Sequence, residues 1–87
     1  MPTRKENINI IRGMVLRAAA ALARTDAVGT DVHEDFANEQ VKIRVHIGGQ
    51  RAEFALYNAD VERVQSSRAV ALKIERLIQD ALAKIPS

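Results

Sequence analysis

A chain of 87 residues has room for one domain. A domain of this size hides only about two-thirds of the surface its unfolded chain exposes, so its core is marginal and burial against a partner is expected. Hydrophobic residues make up 47%, which excludes wholesale disorder, yet aromatics are only 3%, so the core must be aliphatic. There is no cysteine, which excludes disulfides, thiolate chemistry and cysteine-ligated zinc. No apolar run approaches the about 18 residues of a membrane span, and Arg12, Arg17 and Arg24 interrupt any secretory-type block. These features lead to the expectation of a cytoplasmic protein with no cofactor and no membrane partner.

Net charge is only +2, but it is banded along the chain. Residues 1–25 carry +4, residues 26–40 carry −5, and residues 41–58 and 59–87 carry +2 and +1. A basic first segment is thus followed by an acidic connector.

Thr3-Arg4-Lys5-Glu6 has the capping-box pattern and predicts a helix over about 4–24. Ile8, Ile11, Val15, Ala18 and Leu22 recur at spacings of three and four, with Met14 beside them. Arg17 and Arg24 fall on the opposite face. Residues 25–40 read as a connector with five acids and Gly29, in which a short strand around 28–32 is one option.

The strongest pattern lies at 41–57. Val41, Ile43, Val45 and Ile47 alternate with Lys42, Arg44 and His46, and after Gly48-Gly49 the residues Ala52, Phe54 and Leu56 alternate with polar or small ones. Strand side chains alternate between faces, and a Gly-Gly pair tolerates the positive φ angles of a two-residue hairpin turn. That turn predicts Val45 opposite Ala52, Ile43 opposite Phe54 and Val41 opposite Leu56. On the other face it sets Arg44 against Glu53 and His46 against Arg51. A slip of one residue would turn the apolar set toward water.

A last helix is predicted over about 60–85. Asn58 and Asp60 can cap its start, Ser66-Ser67 can break a first turn and cap a second, and Val70, Ile74, Leu77, Ile78, Ala81, Leu82 and Ile85 form its apolar face. The fold class is therefore α+β: one αββα domain with helices on one face of an antiparallel sheet. A lone two-stranded ribbon has two open edges and is marginal, so completion of the sheet by a homodimer is expected.

No motif specifies catalysis. Ser66, Ser67 and Ser87 with His33 and His46 form no nucleophile–base pattern, and Gly48-Gly49 lacks the Lys-Ser/Thr and following helix of a phosphate loop. The expectation is a protein that is not an enzyme and acts by contact. Lys42, Arg44, His46 and Arg51 on the outer hairpin face, with Arg12, Arg17 and Arg24 of the first helix, are candidate contacts to duplex DNA or another anion. The same side chains also suit a solvated face. Asp31, Glu34 and Asp35 of the connector are candidate contacts to a basic protein surface, and a solvated acidic loop is the plainer reading. His33 among them adds no recognisable metal-loop spacing, and no metal is expected. With Tyr57 the one aromatic expected at the surface, base stacking is not the anticipated mode.

The order helix, strands, helix, with Val41-Lys42-Ile43-Arg44-Val45 opening the strand pair, resembles the small dimeric nucleoid-associated proteins of the YbaB/EbfC type. The first helix departs from theirs in being rich in alanine and arginine instead of methionine and glutamine. The resemblance is one of element order and implies no role for any residue. Three readings follow: a dimeric DNA-associated regulatory protein first, a protein-binding inhibitor or adaptor of host machinery second, and a sequestering protein for an anionic nucleotide third.

Overall fold

The computed structural model describes residues 3–22 and 27–85. Helix α1 (Arg4–Ala21) is followed by strands β1 (Val28–Asp35), β2 (Gln40–Ile47) and β3 (Gln50–Tyr57), then by the short helix α2 (Asn58–Arg63) and helix α3 (Arg68–Ala83). The strands form one antiparallel sheet in the order β1-β2-β3. The domain is α+β, as expected, and no described helix is long and apolar enough to cross a membrane.

The predicted hairpin register holds at every position. Val45 pairs with Ala52, Ile43 with Phe54, Val41 with Leu56, Arg44 with Glu53 and His46 with Arg51. Gly48 and Gly49 have φ angles of 54° and 83°, the left-handed pair that a tight turn between twisted strands needs. Val41, Ile43, Val45, Ile47, Phe54 and Leu56 are buried under the helices.

The helices cover only that face. Thr3 caps α1, its Oγ1 accepting from the Glu6 amide at 3.1 Å. Ile11, Val15 and Ala19 of α1 are buried, whereas Leu22, expected inside, lies exposed at the C-cap. Val70, Ile74, Ile78, Ala81 and Leu82 bury the inner side of α3, and Ile85, just past its end, is buried as well. Helix α1 packs on α2, α3 and the β1 side of the sheet, and α3 packs against β3. The buried Asn7 of α1 is satisfied by Gln65, whose Nε2 donates to Asn7 Oδ1 at 2.9 Å.

Three boundaries differ from the sequence reading. The acidic connector of 25–40 contains a full strand, β1, longer than the 28–32 option. Val28, Thr30 and Val32 alternate with Gly29, Asp31 and His33, and the low strand propensity of aspartate and glycine masks the pattern. Cations on β2 and α1 neutralise the acids and make the pairing tolerable. The single helix predicted over about 60–85 is realised as two, parted at Ser66-Ser67 as that serine pair allowed; Ser67 Oγ accepts from the Val70 amide at 3.3 Å. Asn58 does not cap α2. It is the first residue of that helix, its amide donates to the Glu39 carbonyl at 2.9 Å, and its Oδ1 accepts from Arg4 Nη2 at 2.9 Å.

The third strand also changes the argument for a dimer. Three strands carrying a packed helical layer meet the usual need for independent stability, so an incomplete sheet no longer demands a second copy.

Candidate functional site

Because every helix lies on the apolar side of the sheet, the opposite side is bare. The period-two alternation that sends Val41, Ile43, Val45 and Ile47 inward sends Gln40, Lys42, Arg44 and His46 outward. The paired strands then build four cross-strand rows: Gly29–His46–Arg51, Asp31–Arg44–Glu53, His33–Lys42–Ala55 and Asp35–Gln40–Tyr57. Lys42, Arg44, His46 and Arg51 thus share one face, as the sequence predicted.

Acids accompany them closely; the sequence set Glu53 against Arg44 but did not predict the pairing with Asp31 and Asp35. Arg44 Nη2 donates to Glu53 Oε2 at 3.2 Å. His46 Nε2 lies 2.7 Å from Asp31 Oδ2, and Lys42 Nζ is 3.7 Å from Asp35 Oδ2. The face carries Lys42, Arg44 and Arg51 against Asp31, Asp35 and Glu53, so its formal charge balances when the histidines are neutral. These pairs lie on the outer surface of the sheet, where ion pairs are individually weak. They can exchange partners at low cost. Among the described residues Arg51 has no side-chain partner.

The arginines of the first helix do not join this face. Arg12 turns to the free edge of β1, where Nε donates to Thr30 Oγ1 at 2.8 Å and Nη2 to the Thr30 carbonyl at 3.4 Å. Arg17 is exposed on α1 beside a shallow groove shared with Glu75 and Gln79 of α3. Both lie in the helical layer, on the far side of the sheet from Lys42 and Arg44. Arg24 lies outside the described residues.

The candidate acidic contacts also separate. Asp31 and Asp35 point outward from β1, whereas Glu34 points toward the helical layer and is held by Arg4, with Nε to Oε1 at 3.1 Å and Nη2 to Oε2 at 2.8 Å. Asp35 shapes the β1–β2 turn: Asn38 donates its Nδ2 to Oδ2 at 2.9 Å and its amide to Oδ1 at 3.3 Å. The Asn38 side-chain bond, its amide and the nearby Lys42 and His33 hold the Asp35 carboxyl below the ordinary carboxylate range, against a weaker opposing effect of desolvation. Among the described residues no group of three or more His, Asp or Glu side chains is placed to hold a metal ion. Of the serines weighed as nucleophiles, Ser67 is the α3 cap and Ser66 Oγ rests on the Arg63 carbonyl at 3.5 Å, while Ser87 lies outside the described residues.

One contact group escaped the sequence reading. Phe36, in the turn after β1, is 81% exposed, and Tyr57, at the end of the same outer face, is 58% exposed. Tyr57 follows from the hairpin alternation. Phe36 was absorbed into the connector; the signal available was an aromatic between Asp35 and Asn38, inside a turn that has no core to fill. Lys73 of α3 reaches round β3 to 6.0 Å from the Tyr57 ring centre and binds Asp60 Oδ2 at 2.9 Å. The bare face therefore ends in Tyr57 at one side, where the neighbouring β1–β2 turn exposes Phe36, and in Arg51 at the other. Compared with protein-family models, with curated proteins and with solved structures, the chain matches none.

Proposed function

We propose that this is a non-catalytic binding protein that acts as a homodimer and contacts duplex DNA through the uncovered face of its sheet. The observation that supports the reading is the clustering of Lys42, Arg44, His46 and Arg51 in adjacent rows on a face that no helix covers. A strand pair of this kind can meet phosphates, and phosphate contact supplies most non-specific affinity for DNA. On binding, Lys42 and Arg44 exchange Asp35 and Glu53 for phosphate oxygens. The acids then act as brakes that keep affinity modest and reversible. Arg12 is engaged on β1 and has no part in this contact.

Titration of a labelled duplex at several salt concentrations tests the reading. Affinity should fall linearly on a log–log plot as salt rises, with a slope reflecting a few phosphates. The double variant R44A/R51A should weaken binding, and E53Q should strengthen it by freeing Arg44. Absence of binding to any duplex at low salt ends the proposal.

The balanced charge of the same face supports a second reading, a protein-binding inhibitor or adaptor. Alternating charges with Phe36 and Tyr57 at the rim suit a partner surface of complementary pattern. The two readings part on the acids: neutralising Asp31 and Glu53 strengthens DNA binding but weakens a protein contact. Retention of a partner from lysate that survives nuclease treatment and is lost in D31N/E53Q favours the second.

A further inference from the structure

The free edge of β1 is incomplete in a way that the free edge of β3 is not. On β3 the inward residues Phe54 and Leu56 are buried by the helical layer, and only Ala52 and Gln50 near the turn are less covered. On β1 the inward residues Val28, Thr30, Val32 and Glu34 all remain half-buried. Leu16 of α1, four residues on from Arg12 along the helix side that meets β1, is 51% exposed.

The hairpin also fixes which backbone groups this edge offers. A two-residue turn makes Ile47 and Gln50 a hydrogen-bonded pair, and such pairs alternate along an antiparallel ladder. Odd-numbered residues of β2 therefore bond to β3 and even-numbered ones to β1. Through the β1–β2 register, Gly29, Asp31, His33 and Asp35 bond inward, while Val28, Thr30, Val32 and Glu34 direct their amides and carbonyls out of the sheet. The Arg12 contact with the Thr30 carbonyl agrees with that direction.

We infer that this edge pairs with the same edge of a second copy, antiparallel and centred on Val32, joining two domains into a six-stranded sheet. The inference deepens the dimeric part of the reading above and is independent of what the dimer binds. Charge narrows the register. Centring on Asp31 would oppose two aspartates, and centring on His33 would set Asp31 against the partner's Asp35. Centring on Val32 sets Asp31 beside the partner's His33, and Thr30, with its attached Arg12, beside the partner's Glu34. The twofold axis repeats each of these contacts. Asp31 uses one carboxylate oxygen for His46 and keeps the other for the partner. Val32 meets its own copy at the centre, where the half-buried inward side chains of the edge gain cover. The bare faces become continuous and carry two copies of the Lys42–Arg44–Arg51 strip.

The cysteine-free chain makes the seam directly testable. Across a hydrogen-bonded antiparallel pair the Cα atoms lie about 5.5 Å apart, within disulfide reach. V32C should therefore form a cross-linked dimer under mild oxidation, while V28C, whose copies lie far apart in this register, stays uncross-linked. Sedimentation equilibrium of the native chain should give twice the 9.6 kDa chain mass. V32P, which removes the central amide donor of each copy but no bond to β2, should weaken the dimer roughly tenfold or more. A monomer at high micromolar concentration overturns both this inference and the dimeric reading. A dimer that cross-links through A52C instead of V32C places the seam at β3 and overturns this inference alone.

Discussion

The β2–β3 hairpin and strand β1 belong to one sheet but are held by different forces. In the hairpin the inward residues of β2 are buried, Val41, Ile43 and Val45 each meet a hydrophobic side chain across the ladder, and the turn is two glycines at positive φ. Strand β1 is half-buried, and polar contacts anchor it: Arg4 on Glu34, Arg12 on Thr30, His46 on Asp31 and Lys42 on Asp35. Hydrophobic burial is non-directional and large, whereas exposed ion pairs are directional and small. The hairpin is thus the anchor of the fold, and β1 is the element free to take up a further partner.

Truncation in the core breaks this comparison most directly. Ile43→Ala removes a fully buried side chain opposite Phe54 and should cost about 3 kcal/mol in urea unfolding, while Val32→Ala on β1 should cost about 1 kcal/mol. Equal losses would mean that β1 is as firmly packed as the hairpin. Two glycines sharpen the same contrast. A methyl group at Gly49 meets no atom within 4 Å, yet φ there is 83°, so Gly49→Ala should cost about 1 kcal/mol from backbone conformation alone. At Gly29 an added Cβ makes an ordinary 3.9 Å contact with His46 Cβ and requires no positive φ, so Gly29→Ala should stabilise by about 0.5 kcal/mol.

The polar anchors come next. Arg4→Ala removes the paired bonds to Glu34 and one to Asn58, and its half-exposed position limits the loss to about 0.5–1 kcal/mol. Glu53→Gln on the open face should change stability by less than about 0.5 kcal/mol, whatever it does to binding. The smallest effect is the acid response of the β1–β2 turn. Asp35 has a folded-state carboxyl held below its ordinary value, so its contribution is complete above the ordinary carboxylate range and is lost as pH falls through the lowered one. The Asn38 amide resonance should follow that transition, and Asp35→Asn should abolish it.

How far the sequence was legible depended on which force shaped each segment. The hairpin register followed from four alternating apolar residues, a glycine pair and three more apolar residues, since one slip would expose them all. The break at Ser66-Ser67 was visible because serine is a helix cap and not an interior residue. Strand β1 was obscured because its acids and Gly29 argue against a strand when read alone. They fit only once β2 and α1 supply the opposing cations. The clustering of Lys42, Arg44, His46 and Arg51 was legible from strand period. Their pairing with Asp31, Asp35 and Glu53 was legible only for Glu53, the one acid within the same hairpin.

From its sequence alone this protein is an α+β domain with an aliphatic core, a hairpin of one register and a charged outer face, because hydrophobic alternation and turn chemistry are local and strongly constrain the chain. Tertiary structure decided that the acidic segment is a third strand, that the first-helix arginines lie on the other side of the sheet, and that β1 keeps an open edge. Each of those depends on contacts between strands and helices, from Lys42–Asp35 across one turn to Arg4–Glu34 across the domain, where charges find partners that no local pattern announces.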